Sequence, residues 1–431
     1  MKGNFQIILV VVFMAAALFG VLVFAGVIKI GSDSNSAGSQ GTVILWGTDK
    51  SQSFSKALED FNKANPAFIV KYVQKYPETF DNDLLEALAS GTGPDMFFIS
   101  DDLAFKYSNK IYNIPYTSYP LATFKTNFAR AGEVFLNSKG MLAFPMTIDP
   151  LVMYYNRSIL DANDIVYPPV NWDEFQSMVP VLTQKDDSNK IIKSAVAMGQ
   201  FSNVLNAKDI LATLFMQLGN PITYEKNGFY ASSLEASSAK YDLSSPLKFY
   251  TDFTDPLKNV YSWNRSLENS QDEFSAENLA FYFGFASELN SLVNKNPNEN
   301  FLAAPVPQIK DANVKLTYAH VTGLAISSFS KNFNTAFTAA GLMATGDFAS
   351  SYAKAINAVP ARRDLLTIKQ TDAFFPIFYS SALFGASWLD PSANDTDDIF
   401  RSMVEGVLSN NMTPSEAIKD GSAKLDLLLA K

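Results

Sequence analysis

Side chains that could do covalent chemistry are scarce in this chain. One histidine, His320, and no cysteine occur in 431 residues. A serine triad would have to use His320, and no Gly-x-Ser-x-Gly elbow precedes a helix. His320 therefore reads as a packed or pocket-lining imidazole. There is no histidine pair for zinc, and thiolate sites, disulfides and thioether lipidation are excluded. Asp395-Thr-Asp-Asp398 has acids but lacks the glycine and distal glutamate of a calcium loop, so helix N-capping accounts for it better. Gly91-Thr-Gly-Pro94 is too short to cradle phosphate. Glycosidase carboxylates are defined by their separation in space, and nothing in the sequence singles out a pair. Neither a cofactor nor a metal is expected, and the chain does not read as an enzyme.

Recognition chemistry is better represented. Trp46 stands at a strand end, Trp263 in Ser-Trp-Asn, Trp388 in Ser-Trp-Leu-Asp, and Phe285 follows Gly284. Flat rings beside carboxylates and amides suit a sugar, with its apolar C–H faces and hydroxyl rim. Core packing is the competing account of each ring. Trp172, just inside a capped helix, is assigned to structure.

Those residues must be positioned by alternating elements. Thr42–Gly47 is a short apolar run ended by glycine, a buried strand. Phe54, Leu58 and Phe61 share a helical face that Asn65-Pro66 stops. Phe68–Val73 is the next strand, Phe80–Ser90 a helix, Gly91–Asp95 a turn and Met96–Ile99 a third strand. This order predicts an α/β domain with a parallel sheet, whose ligands bind at the strand carboxyl ends. Further strands are expected at Leu142–Pro145, Leu151–Tyr155, within Phe274–Ala286 and at Val321–Ser327. Helices are expected over Ala207–Leu218, closed by Gly219-Asn220, and Asn334–Ala344. Capping boxes open helices at Asn171–Glu174 and Thr413–Glu416, the second with Pro414 at the first helical position.

Hydrophobic content of 47% and charged content of 18% describe a folded chain, with two or three domain-sized cores beyond the leader. The 35 phenylalanines predict aromatic-rich cores. Without Lys2 and Lys29, 32 basic residues face 43 acidic ones, a net of −11, which disfavours nucleic acid as a partner. From Ile7 to Ile28 no charged or strongly polar side chain occurs. As a helix this run is roughly 33 Å long, enough to cross a bilayer core. It exceeds a signal-peptide core, so residues 1–30 are expected to stay as a membrane anchor, with cleavage after Val23-Phe24-Ala25 as the alternative. Residues 31–41 read as a flexible tether. The body is expected on the extracytoplasmic side of the cell membrane, held by this single pass.

The ordered pieces resemble a known family. They include Val43-Ile-Leu-Trp-Gly47, Phe61-Asn-Lys-Ala-Asn-Pro66, Leu88-Ala-Ser-Gly-Thr-Gly-Pro-Asp95 and Met153-Tyr-Tyr-Asn-Arg157. Pro168-Pro-Val-Asn-Trp-Asp-Glu-Phe175, Ala304-Pro-Val-Pro307, Thr322-Gly-Leu-Ala-Ile-Ser327 and Val359-Pro-Ala-Arg-Arg-Asp364 follow. The chain resembles the extracellular solute-binding proteins of ABC importers, the group that includes maltose-binding protein. It departs at Phe274-Ser-Ala-Glu-Asn-Leu-Ala-Phe281, where the family often has Phe-x-x-Gly-Lys-x-Ala-Met, so a tight turn is expected to be lost there.

The resemblance implies a two-lobed periplasmic-binding-protein-like fold (type II), each lobe a mainly parallel sheet flanked by helices. Lobe 1 is expected from 42–148 with 320–357, and lobe 2 from 149–319 with 358–431. Crossings are expected near Met146–Pro150, Tyr318–Thr322 and Asn357–Arg362. By the family's layout, the cleft candidates are Trp46, Asp49, Lys50, Ser100, Asp101, Asp149, Phe285, His320 and Trp388. The implied function is capture of a small solute, a sugar or oligosaccharide above all, by a monomer that delivers it to ABC transporter permease subunits. A surface receptor or adhesin using the same cleft without transport is the alternative.

Overall fold

A computed structural model describes residues 41–235 and 242–430. The expected membrane helix over 1–30 and the tether up to residue 40 lie outside the described residues. Among those described, no helix is long and apolar enough to cross a membrane.

The first strand, β1 (Gly41–Gly47), takes in Gly41, which the sequence assigns to the tether. Val43 and Leu45 alternate into the core, as one buried face requires. β1 runs parallel to β2 (Phe68–Gln74) along its whole length and to β3 (Met96–Ser100) at Leu45 and Trp46. The crossover helices are α1 (Ser51–Ala64), which buries Phe54 and Phe61, and α2 (Pro77–Ser90). α2 starts three residues before the expected Phe80, because Pro77 suits the first helical position. Gly91, at φ +70°, ends it in the left-handed conformation that a Cβ disfavours. β3 leads directly into α3 (Asp101–Tyr107).

The two strands expected at Leu142–Pro145 and Leu151–Tyr155 are one, β4 (Ala143–Asn156), and almost all of it is buried. Its two prolines sit where a missing N–H costs little. Pro145 lies beside a register shift in the ladder, and Pro150 is the last residue paired with that neighbour. Beyond Pro150 the strand acquires new partners on both sides.

In the second half, α4 (Trp172–Leu182) begins at Asn171, whose Oδ1 accepts from Glu174 N at 2.9 Å. The Glu174 carboxylate reaches back to Val170 N and Asn171 Nδ2 rather than to Asn171 N. β5 (Ile191–Val196), α5 (Ala207–Gln217) and the hairpin β6 (Thr223–Lys226) and β7 (Phe229–Ser232) follow. α6 (Ser270–Ser275) precedes β8 (Leu279–Phe285), and then comes β9 (Phe301–Pro305). The turn expected to be lost between α6 and β8 is kept. Glu277 adopts φ +60°, Glu277 N bonds Phe274 O and Asn278 N bonds Glu273 O, both at 2.9 Å. This is a Schellman closure with a glutamate where glycine fits best.

β10 (Thr317–Ile326) is longer than expected and pairs antiparallel with both β3 and β4. β11 (Val359–Pro360) adds to β4 at Thr147 and Ile148. The main sheet order is β2-β1-β3-β10-β4-β8-β5, with β9 on the far side of β4. The sheet is therefore mixed, rather than mainly parallel in each lobe. β1 pairs in parallel with β2 and β3, and β5 with β8, but the long β4 and β10 meet each other and β3, β8 and β9 antiparallel, while the start of β10 pairs in parallel with Gly385–Ala386. β1–β3 lie toward one end of this order and β5 and β8 toward the other, with the long β4 and β10 in the middle. The chain closes with α7 (Ala393–Leu408) and α8 (Pro414–Leu429), and α8 carries the expected Thr413–Glu416 capping box.

Aromatic rings fill the core. Phe54, Phe348 and Tyr352 pack edge to face and stacked, and Trp172 and Phe175 of α4 cluster with Phe281 and Phe283 of β8.

A charged cleft between the lobes

The carboxyl end of β3 delivers two consecutive aspartates to the junction, and they behave oppositely. Asp101 is fully buried. It accepts from Ser387 Oγ at 2.8 Å, Tyr318 Oη at 2.9 Å, Val321 N at 3.0 Å and His320 Nδ1 at 3.2 Å. Burial alone would raise its pKa, but the imidazole and these donors outweigh it and hold Asp101 below the usual carboxylate range. Burial also opposes the charged form of His320. The Asp101 carboxylate, backed by Asp209 and Asp102, wins and lifts His320 to about 10. His320 is thus an imidazolium at neutral pH, with Nδ1–H donated to Asp101 and 35% of its side chain exposed. The Phe285 ring lies 4.7 Å from it. Asp149 is its cross-strand neighbour in the β4–β10 ladder and accepts from Ser287 N at 2.9 Å. Burial raises the Asp149 pKa.

Asp101, Asp149, Phe285 and His320 are therefore brought together. Ser100 joins them indirectly, because its hydroxyl bonds Asp102. Asp102 in turn is pushed up by burial and by its neighbour Asp101.

Asp102 and His320 form one wall of a cleft of about 440 Å³. The opposite wall carries Phe201, Asn206, Lys208, Asp209, Asp397 and Arg401. Lys208 and Asp209 lie in the first turn of α5, whose remaining buried residues are mostly apolar. Lys208 pairs with Asp390 at 3.0 Å, and both are nearly buried. Arg401 projects from α7, bonds Asp397 at 2.6 Å and Asp398 at 2.8 Å, and lies 5.4 Å over the Phe201 ring. The acids of 395–398 thus lie in the first turns of α7, but Ser392 is its N-cap and two of them serve Arg401. Apart from Asp397, within the acidic run 395–398, none of Phe201, Asn206, Lys208, Asp209 and Arg401 is marked by the sequence. The signal available was a Lys-Asp pair opening an otherwise apolar helix.

Trp46, Asp49 and Lys50 are placed elsewhere. The Trp46 ring is covered by Lys75 Nζ at 3.9 Å. Asp49 accepts from the Tyr352 hydroxyl, and its backbone carbonyl accepts from Tyr72 Oη at 2.8 Å. Lys50 is exposed at the start of α1. Trp388 is 3% exposed, stacked on Phe400 at 6.3 Å. Trp263 is fully buried and donates to Asn203 Oδ1 at 3.0 Å.

Trp388 borders a larger cavity, of about 480 Å³, between Arg130–Leu136 and the β6–β7 hairpin. That hairpin contacts the first third of the chain through Glu225 with Ser138 and through Tyr230 with Phe105. The smaller cleft is the better candidate for a ligand. It lies beyond the carboxyl end of β3, where α/β sheets bind ligands, and it gathers Asp102, Lys208, Asp209, His320 and Arg401 in one place.

This is the architecture of a solute receptor. The chain belongs to the bacterial extracellular solute-binding protein family, which matches residues 46–354, a family of binding proteins rather than enzymes. A Brucella abortus (strain 2308) protein described only as a binding protein is 20% identical over 429 residues, covering 96% of this chain and 98% of its own. Among solved structures, the sugar-binding protein MalE of Xanthomonas citri superposes with a TM-score of 0.74 at 16% identity, over 90% of this chain and 97% of that one. A cyclo/maltodextrin-binding protein complexed with maltotetraose superposes with a TM-score of 0.72 at 15% identity, over 91% and 98%. An ABC substrate-binding protein from Listeria monocytogenes in complex with cycloalternan follows at 0.65 and 15%, over 91% and 100%. At such identities the likeness is one of fold.

Proposed function

We propose that this protein is a membrane-tethered receptor that captures a carbohydrate in the cleft between Asp102–His320 and Lys208–Arg401 and delivers it to an ABC importer. The observation that carries this reading is the cleft itself. Planar carboxylate, amide and guanidinium groups surround it and complement a sugar's hydroxyl rim. Bound carbohydrate in two similar folds, and a third that is a sugar-binding protein, support the ligand class. The apolar run Ile7–Ile28 supports a retained single-pass anchor, with the body extracytoplasmic and monomeric. The lobes divide at 42–148 with 320–357 and 149–319 with 358–431. The partner exchange of β4 at Pro150 and the docking of β11 beside it support this division. Ligand contacts on both walls then favour the closed arrangement that a permease reads.

The test is a thermal-shift screen of the detergent-solubilised full chain against mono- and oligosaccharides. A ligand at 100 times its Kd adds about 2.7 kcal/mol, and small-angle scattering at saturation should show a smaller radius of gyration. Absence of any stabilising sugar refutes the ligand class. Amino-terminal sequencing checks the anchor, and a mature start at Gly26 refutes it.

A further inference from the structure

The cleft holds more carboxylates than its own cations balance. Lys208 is taken by Asp390, Arg401 by Asp397 and Asp398, and His320 by Asp101. Asp102 and Asp209 remain, one on each wall, and neither has a cation of its own. Asp102 is bonded by Ser100 Oγ. Asp209 is 7% exposed, and its Oδ1 is a buried acceptor with no hydrogen-bond partner among the described residues. Burial holds Asp209 up at about 6, with His320 and Lys208 pulling it down, and Asp102 is raised as well.

A buried carboxylate oxygen without a donor costs stability, and more so when the group is charged. Its natural complement is a donor brought from outside. A sugar hydroxyl supplies one hydrogen bond but leaves both charges in place. An ammonium supplies three donors and a compensating charge, and charge-assisted bonds are about twice as strong as neutral ones.

We propose that the ligand is a carbohydrate carrying a protonated amine, whose ammonium is held between Asp102 and Asp209. The proposal rests on the carbohydrate reading above and adds the charge of the ligand to it. An amine bound by both walls would also neutralise the excess charge that opposes closure.

The experiment is calorimetric titration of the solubilised full chain at pH 7.5 with matched sugars. The sets are glucosamine with glucose, galactosamine with galactose, and the β-1,4-linked glucosamine dimer with its N-acetylated form and cellobiose. The amino member of at least one set should bind tenfold or more tightly than its neutral counterpart, with N-acetylation removing the gain. Asp209→Asn, shown folded by its melting curve, should erase that preference, and Asp102→Asn gives the same reading should the first variant not fold. Neutral members binding as well as or better than amino members overturn the proposal and leave the carbohydrate reading standing. Binding by no sugar overturns both. A preference that survives both substitutions overturns the assignment of the ammonium to these carboxylates. So does 1,4-diaminobutane binding as tightly as the best amino sugar, since the sugar would then contribute nothing.

Discussion

Asp101 was a ligand candidate by position, but its four donors make it a structural tie between the end of β3, the middle of β10 and Ser387. Asp101→Asn keeps the shape and removes the charge facing His320. Breaking a buried ion pair on one side costs about 3–5 kcal/mol. The His320 side chain is 35% exposed, so solvent screening pulls the value to the low end, about 3 kcal/mol. With an unfolding entropy of about 2.1 cal/mol/K per residue, the melting temperature should fall by roughly 4 °C if the whole body unfolds together and roughly 7 °C if one lobe unfolds alone. The pH dependence gives a second handle. His320 is raised to about 10 from an unfolded 6.5, so its contribution is complete below pH 6.5 and is lost as pH rises through about 10. Asp101 is lowered from 3.8, so its contribution is complete above that value and is lost as pH falls through its folded pKa. The penalty of the substitution should therefore be largest between about pH 4 and 6.5 and much smaller at pH 10. Scanning calorimetry of both proteins at pH 6 and pH 10 measures it. A shift below 1 °C at pH 6, or equal shifts at both pH values, would refute the reasoning. Lost binding at unchanged stability would return Asp101 to the ligand contacts.

Three further outcomes are expected. Trp388→Ala should cost about 3–5 kcal/mol in urea unfolding while leaving ligand affinity of the folded fraction within a few-fold, because the ring packs on Phe400 and faces the other cavity. Glu277→Gly should stabilise the body by about 0.5–1 kcal/mol in the same assay, since the glutamate holds a left-handed φ that costs an L-residue about 1–2 kcal/mol before glycine's greater unfolded-state entropy is subtracted. Asp209→Asn should stabilise the unliganded protein by up to about 3 kcal/mol at pH 8, and the gain should vanish below about pH 4. The sign follows because a folded pKa near 6 against 3.8 gives stability that is present at low pH and lost as pH rises.

Local rules reached far into this fold. The burial alternation of β1, the stop at Asn65-Pro66, the caps at Asn171 and Thr413 and the glycine closure at Gly91 each depend on residues within a few positions of one another, so the sequence alone determined them. It also determined the family, through motifs kept in order, and the poverty of catalytic groups. Tertiary structure decided the rest. Whether Pro145 and Pro150 break a strand depends on where its partners end, and β10 supplies that answer. Whether Trp388 meets a ligand or Phe400 depends on α7, which follows it in the chain but packs back beneath it. The cleft joins Asp102, Lys208, His320 and Arg401, each separated from the next by about eighty residues or more, and no periodicity links positions so far apart. Asp101 and Asp102 are adjacent and chemically identical in sequence. Strand-end geometry alone buries the first among four donors and turns the second toward the cleft, and this makes one a tie and the other a candidate ligand contact.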